Sequence, residues 1–168
     1  MRLTEGVEWA AHACAVLAAL PEGRGLTAAA RAAFHELPPS YMAKQLQALS
    51  RAGVVTSLRG TRGGYRLARR ASDVSLWEIA AAIEGAEPGF RCSEIRRKGP
   101  CRSSPESCRR PCPVAASFWA AEGAYRESLR ARSVADIVRE VAKGADEAYL
   151  RRLSAWIAGA VRKQARGA

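Results

Sequence analysis

Aromatic side chains make up only 7% of this 168-residue chain, although apolar residues together reach 48%. Much of that apolar share is alanine, which favours close-packed helices over a sheet sandwich. Long apolar runs are also missing. The stretch WAAHACAVLAAL at 9–20 is interrupted by His12, follows Glu5 and Glu8, and falls short of the ~20 residues a membrane span requires. A cytoplasmic protein with no membrane partner is the expectation. There is no phosphate loop, no nucleophile–base motif and no dinucleotide fingerprint, since the glycines at 60–64 precede a strand-like piece and not a helix. An enzyme is therefore not expected.

Acidic side chains are the minority charge, 16 against 27 Lys and Arg, leaving a net charge of +11 and a pI near 10.2. Such an excess suits a polyanionic partner, because each cation that neutralises a phosphate releases condensed counterions. The length fits one domain with an appended oligomerisation element.

Residues 4–20 read as a helix with Leu3, Val7, Ala10, Cys14 and Leu17 on one apolar stripe, stopped by Pro21 and Gly23. A second helix is predicted over 26–34. A third, capped by Ser40, runs to Ala52 and ends at Gly53. Two short strand-like pieces, 54–58 and 65–68, flank a glycine-rich turn and make a hairpin. Ser75 caps a fourth helix to Glu84, and an irregular segment follows at 86–112. Pro113 suits the first turn of a long helix to about Arg132, followed by helices at 134–142 and 146–161.

Three helices and a hairpin are the parts of a winged helix-turn-helix. The fold expected is mainly α, with a small two-stranded wing and a long dimerisation helix. Its divisions are a DNA-binding domain at 1–85, a cysteine-bearing loop at 86–112, and dimerisation and C-terminal helices at 113–168. In the third helix Met42, Leu46 and Leu49 fall on one side, while Ser40, Lys44, Gln47 and Arg51 fall on the other, with Tyr41 and Gln45 at the borders. One side packs and the other reads bases and phosphates. Arg59 and Arg62 add cations on the turn of the wing. The partners expected are a pseudo-palindromic double-stranded DNA operator and a second copy of the chain.

The segment SYMAKQLQALSRAGVVTSLRGTRGGYRLAR at 40–69 resembles the recognition helix and wing of the Rrf2 family of bacterial transcription regulators. The likeness runs to about residue 138. It implies DNA contact by Ser40, Tyr41, Lys44, Gln45, Arg59 and Arg62, and dimerisation through the helix after Pro113.

Of five cysteines, Cys14 lies on an apolar stripe and reads as a small buried hydrophobe. Cys92, Cys101, Cys108 and Cys112 lack the paired C-x2-C knuckles of a zinc ribbon. Cys112, between two prolines, sits at a helix start, which favours the thiolate. Glu8 and His12 stand at i and i+4 on the side of the first helix away from its apolar stripe; the helix alone reads them as a surface pair. The segment resembles the family's sensor loop, which holds an iron–sulfur cluster. Glu8, His12, Cys92 and Cys112, with FRCSEIRRKGP at 90–100, further resemble its RsrR-type redox-sensing branch. That likeness implies a [2Fe–2S] cluster, one per subunit, with Glu and His from one chain and two cysteines from the other. Cys108 and Cys101 are the alternates for an all-thiolate site. The competing readings are a regulator of the same fold that uses zinc or thiol oxidation, and a small iron–sulfur electron carrier or enzyme.

Overall fold

The computed structural model describes residues 3–60 and 63–166. Seven α-helices and one two-stranded antiparallel sheet follow in the order α1 (Glu5–Ala18), α2 (Ala28–Phe34), α3 (Pro39–Arg51), β1 (Val55–Leu58), β2 (Gly64–Leu67), α4 (Leu76–Glu84), α5 (Pro113–Arg130), α6 (Val134–Gly144) and α7 (Glu147–Arg166). The architecture is the mainly α winged helix-turn-helix expected from the sequence. Short 3-10 turns lie at Ala71–Asp73 and Ile95–Arg97.

One core serves α1, α3, β1, α4 and α6. Ala10, Ala13, Cys14 and Leu17 of α1 meet Met42, Leu46 and Leu49 of α3, with Val55, Ile79 and Val134 closing the cluster. Cys14 is fully buried there, as its stripe predicts, and burial pushes its thiol up to about 12. It is an inert packing residue.

The start of α3 differs from the sequence reading. Pro38 holds the cap position and Pro39 opens the helix, so Ser40 lies inside the first turn. Proline fits there because the first N–H groups of a helix have no partner within it. Capping boxes open two other helices: Ser75 with Glu78 at α4, and Ser133 with Asp136 at α6. The two boxes sit side by side, since Leu76 N–H donates to Arg132 O at 2.8 Å and Val134 N–H to Val74 O at 2.9 Å. The chain therefore leaves the head after α4 and returns to it at α6.

Between these points α5 stands apart, with Ala115 its one buried residue and Val114, Phe118 and Trp119 exposed. The C-terminal part is not uniform, because α6 enters the core through Val134 and α7 folds back on α2 through Trp156 and Phe34, ring centroids 4.6 Å apart. Helix α7 also extends past the predicted limit of 161.

The wing pairs Val55 with Leu67 and Leu58 with Gly64. It is tied to the segment before α2 by reciprocal hydrogen bonds, Leu26 N–H to Tyr65 O at 2.9 Å and Tyr65 N–H to Leu26 O at 2.7 Å. Gly64 makes this approach possible: its φ is +102°, and a Cβ there would overlap the Leu26 carbonyl. Gly64→Ala should cost about 3 kcal/mol, read as a lower urea midpoint, whereas Gly53→Ala, with open space around it, should cost less.

Candidate functional site

Burial of Met42, Leu46 and Leu49 turns the other face of α3 outward, so Ser40, Tyr41, Lys44, Gln47 and Arg51 are all exposed. Arg59, at the start of the wing turn, is exposed as well; Arg62 lies outside the described residues. These side chains form one basic and polar surface of the kind that contacts phosphates and base edges.

Gln45 does not belong to it. Its side chain is buried and its amide packs on Gly6 of α1, where a Cβ would stand 3.0 Å from Nε2. The expectation of DNA contact at Gln45 is corrected by this packing. Met42, Gln45, Leu46 and Leu49 follow the i, i+3, i+4, i+7 pattern of a packed face, so the spacing carried the signal.

Glu8 and His12 are exposed on the outer side of α1. Glu8 lines a cleft with Leu3, Leu76 and Leu129, placing it beside the last turn of α5. The His12 ring meets His35 edge-on, centroids 5.2 Å apart at 69°. His35 caps the C-terminus of α2 and precedes Glu36, whose φ of 54° turns the chain toward Pro38 and α3. The sequence reading missed His35 because nothing local links positions 12 and 35, although they are the chain's two histidines.

His35 is the titratable group at which these neighbours meet. Desolvation lowers its pKa most, the charge of Arg31 and the neighbouring His12 lower it further, and Glu8 opposes them. Arg31 itself is wholly buried, and among the described residues its three guanidinium nitrogens have no hydrogen-bond partner; the Phe34 ring lies 5.2 Å from Cζ.

The cysteine segment is organised by Arg96, a second residue the sequence reading passed over. Its guanidinium grips both Glu94 oxygens, at 2.6 and 2.9 Å, and donates to Arg110 O at 3.0 Å and Ser107 O at 3.4 Å. Glu94 is held below the usual carboxylate range, first by that hydrogen bond. Cys108 and Cys112 both lie close enough to favour the charged guanidinium. Cys108 is buried and Cys112 half-buried at the cap of α5, whereas Cys92 and Cys101 are exposed.

A single chain does not gather the predicted ligands. Among the described residues no group of three or more His, Cys, Asp or Glu is placed to hold a metal ion. The reason is the length of α5. Cys112 caps its first turn while Glu8 lies beside Leu129 in its last, about 25 Å away at 1.5 Å rise per residue.

The fold and this exposed α3 face define a winged-helix regulator. Solved structures share the fold: CymR, the global cysteine regulator of B. subtilis, at TM-score 0.64, 18% identity and coverage of 83% of this chain and 98% of that one; and IscR of T. potens, at TM-score 0.62, 20% identity and coverage of 90% and 96%. The family model of Rrf2, iron-dependent transcriptional regulator, matches residues 3–140, and the chain belongs to that family. YffB of Lactococcus lactis, named as an HTH-type transcriptional regulator, is 27% identical over 89% of this chain and 95% of its own length. YwgB of Bacillus subtilis, named likewise, is 34% identical over 51% of this chain, which spans about half (54%) of YwgB. These relatives are regulators and not enzymes. No helix among the described residues is long and apolar enough to cross a membrane.

The depressed His35 pKa sets a pH dependence. The unfolded chain binds this proton first as pH falls through 6.5, so the stability is present above that value and is lost as pH falls toward the folded pKa. His35→Gln should flatten the decline in thermal midpoint between pH 7 and 5. The acid loss below about pH 4.5 should persist, since it comes from carboxylates such as Asp136, held at about 2 by its Ser133 hydrogen bonds. An unchanged profile between pH 7 and 5 would contradict the assignment.

Proposed function

We propose that this chain is a dimeric, sequence-specific DNA-binding transcription regulator whose DNA affinity responds to a [2Fe–2S] cluster shared between subunits. The reading face would comprise Ser40, Tyr41, Lys44, Gln47, Arg51 and the wing arginines Arg59 and Arg62. The cluster ligands would be Glu8 and His12 of one subunit with Cys92 and Cys112 of the other, Cys108 and Cys101 standing as alternates. In this reading 1–85 is the reading head, 86–112 the ligand-bearing loop, and α5 within 113–168 the dimer helix.

The placement of Glu8 and Cys112 at opposite ends of α5 carries the reading. An isologous pair of α5 helices crossing antiparallel brings the first turn of one beside the last turn of the other, and so Cys112 of one copy toward Glu8 and His12 of its partner. The exposed Val114, Phe118 and Trp119 supply the apolar face such a pairing needs. The donor set also suits the group, since two thiolates with one carboxylate and one imidazole leave less negative charge than four thiolates. A bound cluster would supply one-electron chemistry at the subunit boundary.

The chain's own residues would transmit the change. Beyond the shared core, helix α1 meets α3 and the turn before it through Trp9 edge-on to Tyr41 with centroids 5.8 Å apart, Gly6 against Gln45, and His12 against His35. A shift of α1 therefore acts on the first turn of α3, on its packed face and on the turn that precedes it. Two reading heads moved in this way change their half-site fit.

Protein purified without oxygen should be coloured and carry about two irons per chain. Glu8→Ala and His12→Ala should each alter the visible spectrum, while Cys101→Ser leaves it unchanged. Colourless, zinc-loaded protein would instead support the zinc or thiol reading. At fixed salt, equal affinity of oxidised and reduced protein for one operator would sink the redox switch while leaving DNA binding intact.

A further inference from the structure

Helix α7 lies beyond the residues that the family model matches, and nothing in the reading above gives it a task. It meets α2 through a few side chains. Trp156 meets Phe34, Ile157 is 7% exposed, and Ala160 and Val161 pack against the core. Farther along, Trp156, Gly159, Ala160 and Lys163 form one wall of a groove whose other wall is Thr27, Ala30 and Ala33 of α2. At its other end Leu150, Leu153 and Ile157 lie against Ala19 and Pro21, just past α1. Lys163, near the end of α7, thus lines the same groove as Thr27, next to Leu26, through which the wing is tied to the chain by Tyr65.

That corner is where a helix-turn-helix meets the sugar–phosphate backbone, because the first helix of the motif crosses the backbone while the second enters the groove. Arg162 and Lys163 are both exposed there, and among the described residues neither is in an ion pair. Several other arginines are matched, Arg126 with Glu122, Arg132 with Glu140, Arg139 with Asp136 and Arg151 with Glu147, whereas Arg152 of α7 and Arg51 of α3 are, like Arg162, exposed and in no ion pair among the described residues. The sequence of α7 carries no Asp or Glu after Glu147.

We propose that α7 is an auxiliary DNA-binding element, in which Arg162 and Lys163 contact backbone phosphates flanking the site read by α3. The inference rests on the DNA-binding reading above. Phosphate contacts of this kind add affinity and position the head without adding base specificity. They also extend the footprint along the duplex past the reach of α3 and the wing.

The test is the salt dependence of binding to a 30-base-pair duplex of arbitrary sequence, by the full-length protein, between 50 and 300 mM salt. Removing two phosphate contacts per subunit, four in the dimer, with the double variant R162A/K163A should make the slope of log K against log salt shallower by about 3.6, with weaker binding throughout the range. Lys44→Ala serves as the reference for a contact on α3 and, removing one contact per subunit, should flatten the slope by about 1.8. An unchanged thermal midpoint for the double variant shows that α7 remains docked. If Lys44→Ala flattens the slope and R162A/K163A does not, the proposal for α7 is overturned and the reading head stands. If the wild-type protein shows no salt-dependent binding to the duplex, the DNA-binding reading falls and this one with it.

Discussion

The close approach of α1 to α3 is the constraint on which the rest of the molecule depends. Gly6 has no side chain, and Gln45 occupies the space a Cβ would take. The two helices then share a core of small and medium residues, Ala10, Ala13 and Cys14 against Met42, Leu46 and Leu49. Close packing of this kind transmits displacement, because interiors have few voids to absorb it. A helix that is rigidly seated on the recognition helix cannot also be an independent arm. Whatever acts on the outer face of α1, where Glu8 and His12 are exposed, acts on α3.

The same constraint explains the excursion of α5. The paired capping boxes at Ser75 and Ser133 lie side by side, with α4 packed in the core, so the segment from the end of α4 to Ser133 makes one excursion. Only Ala115 of α5 is buried, and a helix with exposed Val114, Phe118 and Trp119 calls for a covering surface. The cysteine segment that precedes α5 has few apolar residues and is held instead by the contacts of Arg96 with Glu94, Ser107 and Arg110. It is ordered by hydrogen bonds around one cation.

What was legible in the sequence was what local chemistry decides. The helix starts at Ser75 and near Ser133 follow from side chains that cap their own helices three residues on. The wing follows from glycines between strand-like pieces, and the exposed face of α3 follows from periodicity. The missed or misplaced residues all depend on contacts between distant segments. Gln45 is polar yet packed, because the tolerance for it comes from Gly6. His35 matters through His12, and α7 folds back through Trp156 onto Phe34. Arg96 looks like one more cation in a basic loop until the carbonyls it collects are seen.

Arg31 shows how these distant contacts combine. A buried guanidinium without hydrogen bonds is costly, and burial lowers its pKa to about 10, which still leaves it charged at neutral pH. Cys14, held near 12, stays neutral beside it, so the interior carries a positive charge with no buried counter-ion among the described residues. That charge reaches His35 and disfavours its protonation, as His12 does, while Glu8 alone of the groups acting on His35 favours it. The turn from α2 into the recognition helix thus sits in a field set by Arg31, His12 and Glu8. Neutralising Glu8 would remove the one group acting on His35 that favours its protonation. A carboxylate at this position on α1 therefore does electrostatic work for the reading head whether or not it also holds a ligand.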